Sequence, residues 1–328
     1  MKKYYPYILA IIVQLQFGGL HVVSEEPISI NKTLTSYDFV AYRTLLATIL
    51  LYITTKIKYG ARYKVKFALR TIHLMIFSVV LNQSLVFIGL SQSDSRLSTV
   101  MQSMIPVFTF FFSICANKSR PNIQLVVGVF VVFTCALFFD YKRLTSLNED
   151  IIPVVVFMAQ TASVSLFFVL QKKFMTEKEG EVEALPLPLS TSTFMSAVPI
   201  LIAAQYAFGH GFRVEHFRDS SAIVAILYAS ILSTLISYSL MAYINSKCHP
   251  VFLGSTVILQ PIFALAFGKI IRDINVPAYK IYLAIGTCVG VVIVAYGNHL
   301  QRNKNERSAI KPTEMTVVSS IVEPEKVS

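Results

Sequence analysis

Seven side-chain amides sit inside stretches that are otherwise hydrocarbon. Gln14 and Gln16 lie in "YPYILAIIVQLQFGGLHVV", Asn82 and Gln83 in "LNQSLVFIGL", and Gln102 in "STVMQSMIPVFTFFF". Gln160 lies in "IIPVVVFMAQTASVSLFFVL" and Gln260 in "GSTVILQPIFALAFG". An amide offers donors and acceptors but no nucleophile and no labile proton. Its chemistry is therefore to replace water around a polar guest, or to bond a neighbouring helix for roughly 0.6–2 kcal/mol. Ser230, Ser233 and Ser237 share one helical face beside Tyr238 and add hydroxyls to the set. Polar groups are costly in hydrocarbon unless they find partners or face water. Amides recurring in matching spans of two halves point to one cavity lined by Gln16, Asn82, Gln83, Gln102, Gln160, Ser237, Tyr238 and Gln260.

Two prolines accompany these amides. Pro106 cannot donate to the carbonyl of Gln102, nor Pro261 to that of Val257, so each helix is expected to kink there and line or gate a path. Arg43 is the ionisable group well inside an apolar run, a position costing about 2.5–3.5 kcal/mol at a span centre. Its expected course is to snorkel to the outer interface, toward Asp38 or Glu25, rather than to touch a solute. No carboxylate lies mid-span, which disfavours carboxylate-driven proton symport and favours facilitated diffusion or exchange. Without a paired carboxylate, a Ser/His dyad or a metal set, the chain does not read as an enzyme. The four cysteines (Cys115, Cys135, Cys248, Cys288) and six histidines show no ligand spacing, so neither metal nor cofactor is expected.

These groups need long apolar helices to hold them. The 328 residues are 54% hydrophobic with mean hydropathy +0.60, and 14% are charged against about 25% in soluble domains. Ten runs approach the roughly 20 residues that cross a bilayer: 5–24, 36–56, 71–91, 96–116, 122–140, 151–171, 187–208, 221–244, 249–269 and 277–297. Backbone amides in lipid must be satisfied internally, so the runs are expected to be helices and the fold an all-α polytopic membrane protein. The net charge of +11 could suggest nucleic acid, but its placement reads as topology. With the N-terminus cytoplasmic, nineteen Lys/Arg fall inside and nine outside, so both termini are assigned to the cytoplasm. The alternative reading of Met1 to Val13 as a signal peptide lacks a small-residue cleavage site. Asn31 opens a glycosylation sequon in a loop assigned outside.

The chain repeats itself weakly. A shift of 155 residues lays Ser78 on Ser233, Gln83 on Tyr238 and Pro106 on Pro261, and a shift of 158 lays Gly128 on Gly286. Five spans per copy is odd, so the second copy must be inverted, an arrangement that in secondary transporters puts the substrate at the midplane between the halves. The expected units are residues 1–140 and 141–300, each of five helices, with a long cytoplasmic loop near 172–189 and a disordered cytoplasmic tail over 301–328. Gly286 and Gly290 form a G-x-x-x-G that permits close packing against the fifth span or against a homodimer partner.

At these residues the chain resembles the drug/metabolite transporter superfamily with EamA-type repeats, and more narrowly the plant nodulin-21-like branch related to the walls-are-thin and UMAMIT transporters. The stretches that carry the likeness are "LQFGG" (Leu15 to Gly19), "FVAYRTLLAT" (Phe39 to Thr48), "LNQSLVFIGL" (Leu81 to Leu90) and "IPVFTF" (Ile105 to Phe110). In the second half they are "VLQKKF" (Val169 to Phe174), "ILYASILSTLISY" (Ile226 to Tyr238), "HPVF" (His249 to Phe252) and "LQP" (Leu259 to Pro261). The resemblance implies ten helices, alternating access, and cavity roles for Gln16, Gln83, Pro106 and Pro261. It implies as substrates amino acids first, then auxin-like and other small organic solutes, handled at the plasma membrane or an endomembrane such as the vacuolar one. The chain departs from the family in having "NKSRP" and "GKIIRD" where an acidic residue is common, Ser103 where an Asn is common, and no tryptophan. Two alternatives stay open: an endomembrane nucleotide-sugar or nucleobase carrier of the same superfamily, and a membrane receptor or scaffold that moves nothing. The expected partners are lipid and a small solute, not nucleic acid.

Overall fold

In the computed structural model the described residues are 4–60, 71–92, 101–102, 104–117, 122–139, 151–178, 181–272 and 277–321. Every regular element among them is helical. The α-helices are α1 (Tyr5–Glu25), α2 (Ser36–Tyr59), α3 (Ile72–Met75), α4 (Asn82–Gln92), α5 (Ile105–Asn117) and α6 (Ile123–Phe139). They continue with α7 (Ile151–Glu177), α8 (Pro186–Phe208), α9 (Ser220–Tyr228), α10 (Ser237–Lys247), α11 (Pro250–Thr256), α12 (Leu259–Arg272) and α13 (Ala278–Ile321). Seven helical stretches are long and apolar enough to cross a membrane: Tyr5–Ile28, Ser36–Tyr59, Ile151–Glu177, Pro186–Phe208, Ser220–Lys247, Pro250–Ile271 and Ala278–Gln301. Shorter apolar helices cover Ile72–Val86, Ile105–Ala116 and Ile123–Phe138. The protein is thus a multi-pass membrane protein. Residues 301–321, expected to be irregular, continue α13, extending as helix through a run of Gln, Arg, Lys and Glu that favours it.

Local chemistry sets the helix ends. Pro6, Pro186 and Pro250 stand in first turns, where a missing N–H costs nothing. Gly60 closes α2 at φ +89°, a backbone state that favours glycine. Thr35 and Asp38 form a reciprocal capping box at the start of α2: Asp38 N donates to Thr35 Oγ1 at 3.1 Å, and Thr35 N donates to Asp38 Oδ2 at 3.2 Å. Thr35→Ala is expected to lower stability by about 1 kcal/mol, the usual worth of such a cap, seen as a lower unfolding temperature in detergent.

Two continuous spans change helix type midway. A π-helical segment, Ile76–Leu81, joins α3 to α4, and another, Ala229–Ile236, joins α9 to α10. The offset of 155 residues that the sequence suggests maps the first onto the second. Residue pairs with that offset therefore sit at like points of like-built spans. The two proline-bearing spans break in similar fashion. Met104 N bonds Met101 O at 2.9 Å, and Gln260 N bonds Val257 O at 3.0 Å, each turn preceding a helix with its proline in the first turn. The Val257 carbonyl that Pro261 cannot serve is thus taken by Gln260.

Helix pairs form the body of the protein: α6 packs on α13, α1 on α12, α2 on α8, and α4 and α5 on α7. In lipid the hydrophobic effect does not drive helices together, so contact rests on close van der Waals fit and interhelical hydrogen bonds. The fit is closest where glycines lie. A Cβ at Gly290 would stand 2.7 Å from Val132 Cγ2 and 3.0 Å from Val132 N, and one at Gly286 would stand 2.7 Å from Cys135 Sγ. The G-x-x-x-G therefore packs on α6 within the chain. Large apolar side chains such as Phe130, Tyr282, Ile285 and Val292 are left exposed on the perimeter of this pair, as lipid-facing positions are.

Candidate functional site

The first span brings its two amides to the second half of the chain. Gln14, fully buried, donates to Thr256 Oγ1 at 3.1 Å and accepts from Gln260 Nε2 at 2.7 Å. Gln16 accepts from the Ser237 hydroxyl at 2.5 Å, and its carbonyl accepts from Tyr228 at 3.0 Å. Close backbone approach allows this: a Cβ at Gly18 would lie 2.6 Å from Phe263 Cβ and 3.1 Å from Gln260 O. One turn on is His21, which hydrogen-bonds Gln260. His21 is enclosed by protein atoms yet keeps an exposed side chain, as a residue on the wall of an internal chamber does.

The third and eighth spans meet at the same place. Gln83, at the start of α4, hydrogen-bonds Tyr238, at the start of α10. Phe194 and Phe17 hold the Tyr238 ring edge-on, with centroids 4.8 and 5.9 Å away. Gln16, Gln83 and Gln260 are half-buried, so their amides retain open surface. Asn82 turns the other way: it accepts from Gln160 Nε2 at 2.5 Å and bonds the Ser78 carbonyl at 3.3 Å, linking α4 to α7. Gln102 is half-buried and joins none of these pairs.

Arg43 corrects the snorkelling expectation. It is buried, 5% exposed, and its carboxylate was already engaged elsewhere. Asp38 receives Thr35, Gln205 Nε2 at 3.2 Å, the His210 backbone N at 3.1 Å and His210 Nδ1 at 3.2 Å. Arg43 instead lies within electrostatic reach of Tyr238 and His21. Its Nε is buried with no hydrogen-bond partner, and its carbonyl accepts from Ser230 at 3.1 Å. A cation enclosed in this way, beside exposed amides and an imidazole, suits an incoming anionic group.

Gln14 and Arg43 were legible as polar groups in apolar runs, but the role of Arg43 was not. His21 was missed altogether. An ionisable residue inside a lipid-length segment was the available signal. Outside the spans, Asp38 gathers His210 and His216 from the connection between α8 and α9. Burial lowers the affinity of His216 for a proton, and the Ser221 hydroxyl is the chief group holding the Asp219 carboxyl below its usual range.

Residues 5–139 match the EamA-like transporter family. The chain is 22% identical to WAT1-related protein At2g40900 of Arabidopsis thaliana over 92% of its own length and 81% of that protein. It is 21% identical to WAT1-related protein At5g07050 of the same plant, over 89% of this chain and 78% of that one. The uncharacterized transporter YcxC of Bacillus subtilis (strain 168) is 23% identical over 80% of this chain and 84% of its own. A solved structure titled "Crystal structure of protein" superposes with a TM-score of 0.74 over 91% of this chain and 99% of that one, at 8% identity, a likeness of fold alone. With buried amides meeting across apolar helices and these relatives, the chain is an EamA-type membrane transporter of the drug/metabolite superfamily, similar along most of its length to the plant WAT1-related branch.

Proposed function

We propose that the protein carries small organic solutes bearing a carboxylate, amino acids first and auxin-like acids second, as a facilitator or exchanger with alternating access. The observation that carries this reading is the buried, acid-free Arg43 among the half-buried amides Gln16, Gln83 and Gln260, with His21 beside them. A carboxylate would give the guanidinium a fork of charge-assisted bonds, and the amides would receive the remaining polar groups. Nucleotide sugars carry two phosphates and want several cations; Arg43 is the arginine at this chamber among the described residues.

Ten spans in two inverted five-helix units, 1–140 and 141–300, complete the proposal. Its support is that residues matched by the repeat touch each other. Gln83 bonds Tyr238, its counterpart at a shift of 155, and Val132 packs on Gly290, its counterpart at a shift of 158. A residue contacts its own image only near a two-fold axis. An axis in the membrane plane through Gln83 and Tyr238 puts the chamber at the midplane. Pro106 and Pro261 then stand at corresponding breaks, where helices on either side of the chamber can hinge. Both termini are assigned to the cytoplasm by the distribution of Lys and Arg.

Counterflow in proteoliposomes tests this. Neutral amino acids and an indole carboxylic acid are expected to exchange above the level of empty vesicles, with little dependence on a pH gradient, while a nucleotide sugar does not move. Exchange of the nucleotide sugar alone would establish the endomembrane carrier reading instead, and movement of no solute the receptor reading.

A further inference from the structure

We infer that Asp38, His210 and His216 form a binding site for a divalent transition ion, zinc by preference, at the membrane face where α2 begins. One ligand atom from each residue lies within 4.8 Å of the others. Asp38 belongs to α2, and both histidines to the connection 209–219, so the ion would clamp that connection to the start of a span. His210 Nδ1 and Asp38 Oδ2 are 3.2 Å apart. Two ligands about 2.1 Å from a tetrahedral ion stand about 3.4 Å apart, so this pair already has the needed separation. His216 has to close by about 1 Å.

The surroundings hold the ligands as an ion requires. The Asp38 carboxylate is fully buried and fixed by Thr35, Gln205 and the His210 backbone. His216 is buried, and its Nδ1 lies 2.9 Å from the Tyr42 hydroxyl. That hydroxyl donates to Gly211 O at 3.2 Å and accepts from Arg213 N at 3.2 Å. Its hydrogen being directed at Gly211, the imidazole donates from Nδ1, which leaves the Nε2 lone pair for a metal. An outer-shell bond of this kind fixes the tautomer of a ligating histidine. His210 is partly exposed, which gives an ion and a fourth, water ligand a way in. On binding, the ion replaces the proton held between His210 Nδ1 and Asp38 Oδ2, and that proton passes to solvent. Two imidazoles and one carboxylate suit zinc or cobalt(II), not magnesium, which takes oxygen ligands.

The experiment uses the full chain, purified in detergent, stripped with chelator and freed of any histidine tag. Zn²⁺ at a hundredfold excess over its dissociation constant is expected to raise Tm by roughly 5 °C. Mg²⁺ is expected to leave Tm unchanged, and Co²⁺ to give the visible bands of a four-coordinate ion. His216→Ala and His210→Ala lose both responses whatever their own starting Tm, because each is read as the difference with and without metal. Unchanged Tm with a featureless Co²⁺ spectrum, or the same response in the double variant, overturns the site. Neither outcome bears on solute exchange, which Arg43 variants read separately.

Discussion

Arg43→Gln is expected to lose exchange of carboxylate solutes while folding at least as well as the parent. The guanidinium is 5% exposed and its Nε has no partner. A charge-assisted hydrogen bond is worth about 1.5–3 kcal/mol, so removing it weakens solute binding roughly 10- to 140-fold. Stability moves in the opposite direction, since an enclosed cation without a counter-charge is costly and glutamine relieves that cost. Measuring initial exchange rates over a range of solute concentrations beside the unfolding temperature separates the two effects. Arg43→Lys keeps the charge but not the planar fork and is expected to fall between. A glutamine variant that exchanges amino acids at the parental rate would falsify the assignment of Arg43 to the solute.

Gly290→Leu carries the largest expected effect on folding. A Cβ there stands 3.0 Å from the backbone N of Val132, and the facing position is no looser: a Cβ at Gly128 would be 2.8 Å from Val294 N. Side chains can turn aside, but helix backbones cannot, so α6 and α13 must separate along their seam. Replacing glycine gains about 1 kcal/mol of helix propensity. Overpacking costs up to about 3 kcal/mol and wins, more so as the separation also strips contacts at Gly286 and Gly297. The check is the unfolding temperature in detergent together with the yield of monodisperse protein. Val289→Leu, on the exposed side of the same helix, is expected to change neither.

The spans were legible because bilayer thickness fixes how many apolar residues a helix needs. The amides were legible because hydrocarbon makes them expensive. What escaped the sequence was partnership. Asp38 and Arg43 lie one helical turn apart and invite pairing, yet Asp38 bonds residues 167 and 172 positions away. His210 and His216 have no meaning as ligands until the chain folds back on Asp38, which is why spacing alone suggested no metal. Asn82 and Gln83 are adjacent and equally polar, but neighbours on a helix point about 100° apart. One therefore ties α4 to α7, and the other faces Tyr238. The π-helical turns were invisible as well, since no residue type distinguishes them from α-helix over six to eight positions.

Those turns have a further consequence. A π turn accommodates one residue more than the α turn it replaces, and each α residue advances the helix by about 100°. Deleting a single residue from 76–81 or from 229–236 would let the segment relax to ordinary α geometry without breaking the span. Everything beyond it would then point along a different radius: Gln83 in one case, Ser237 and Tyr238 in the other. The two spans thus hold their aim through a surplus residue apiece, a rotational setting that length and hydropathy do not record.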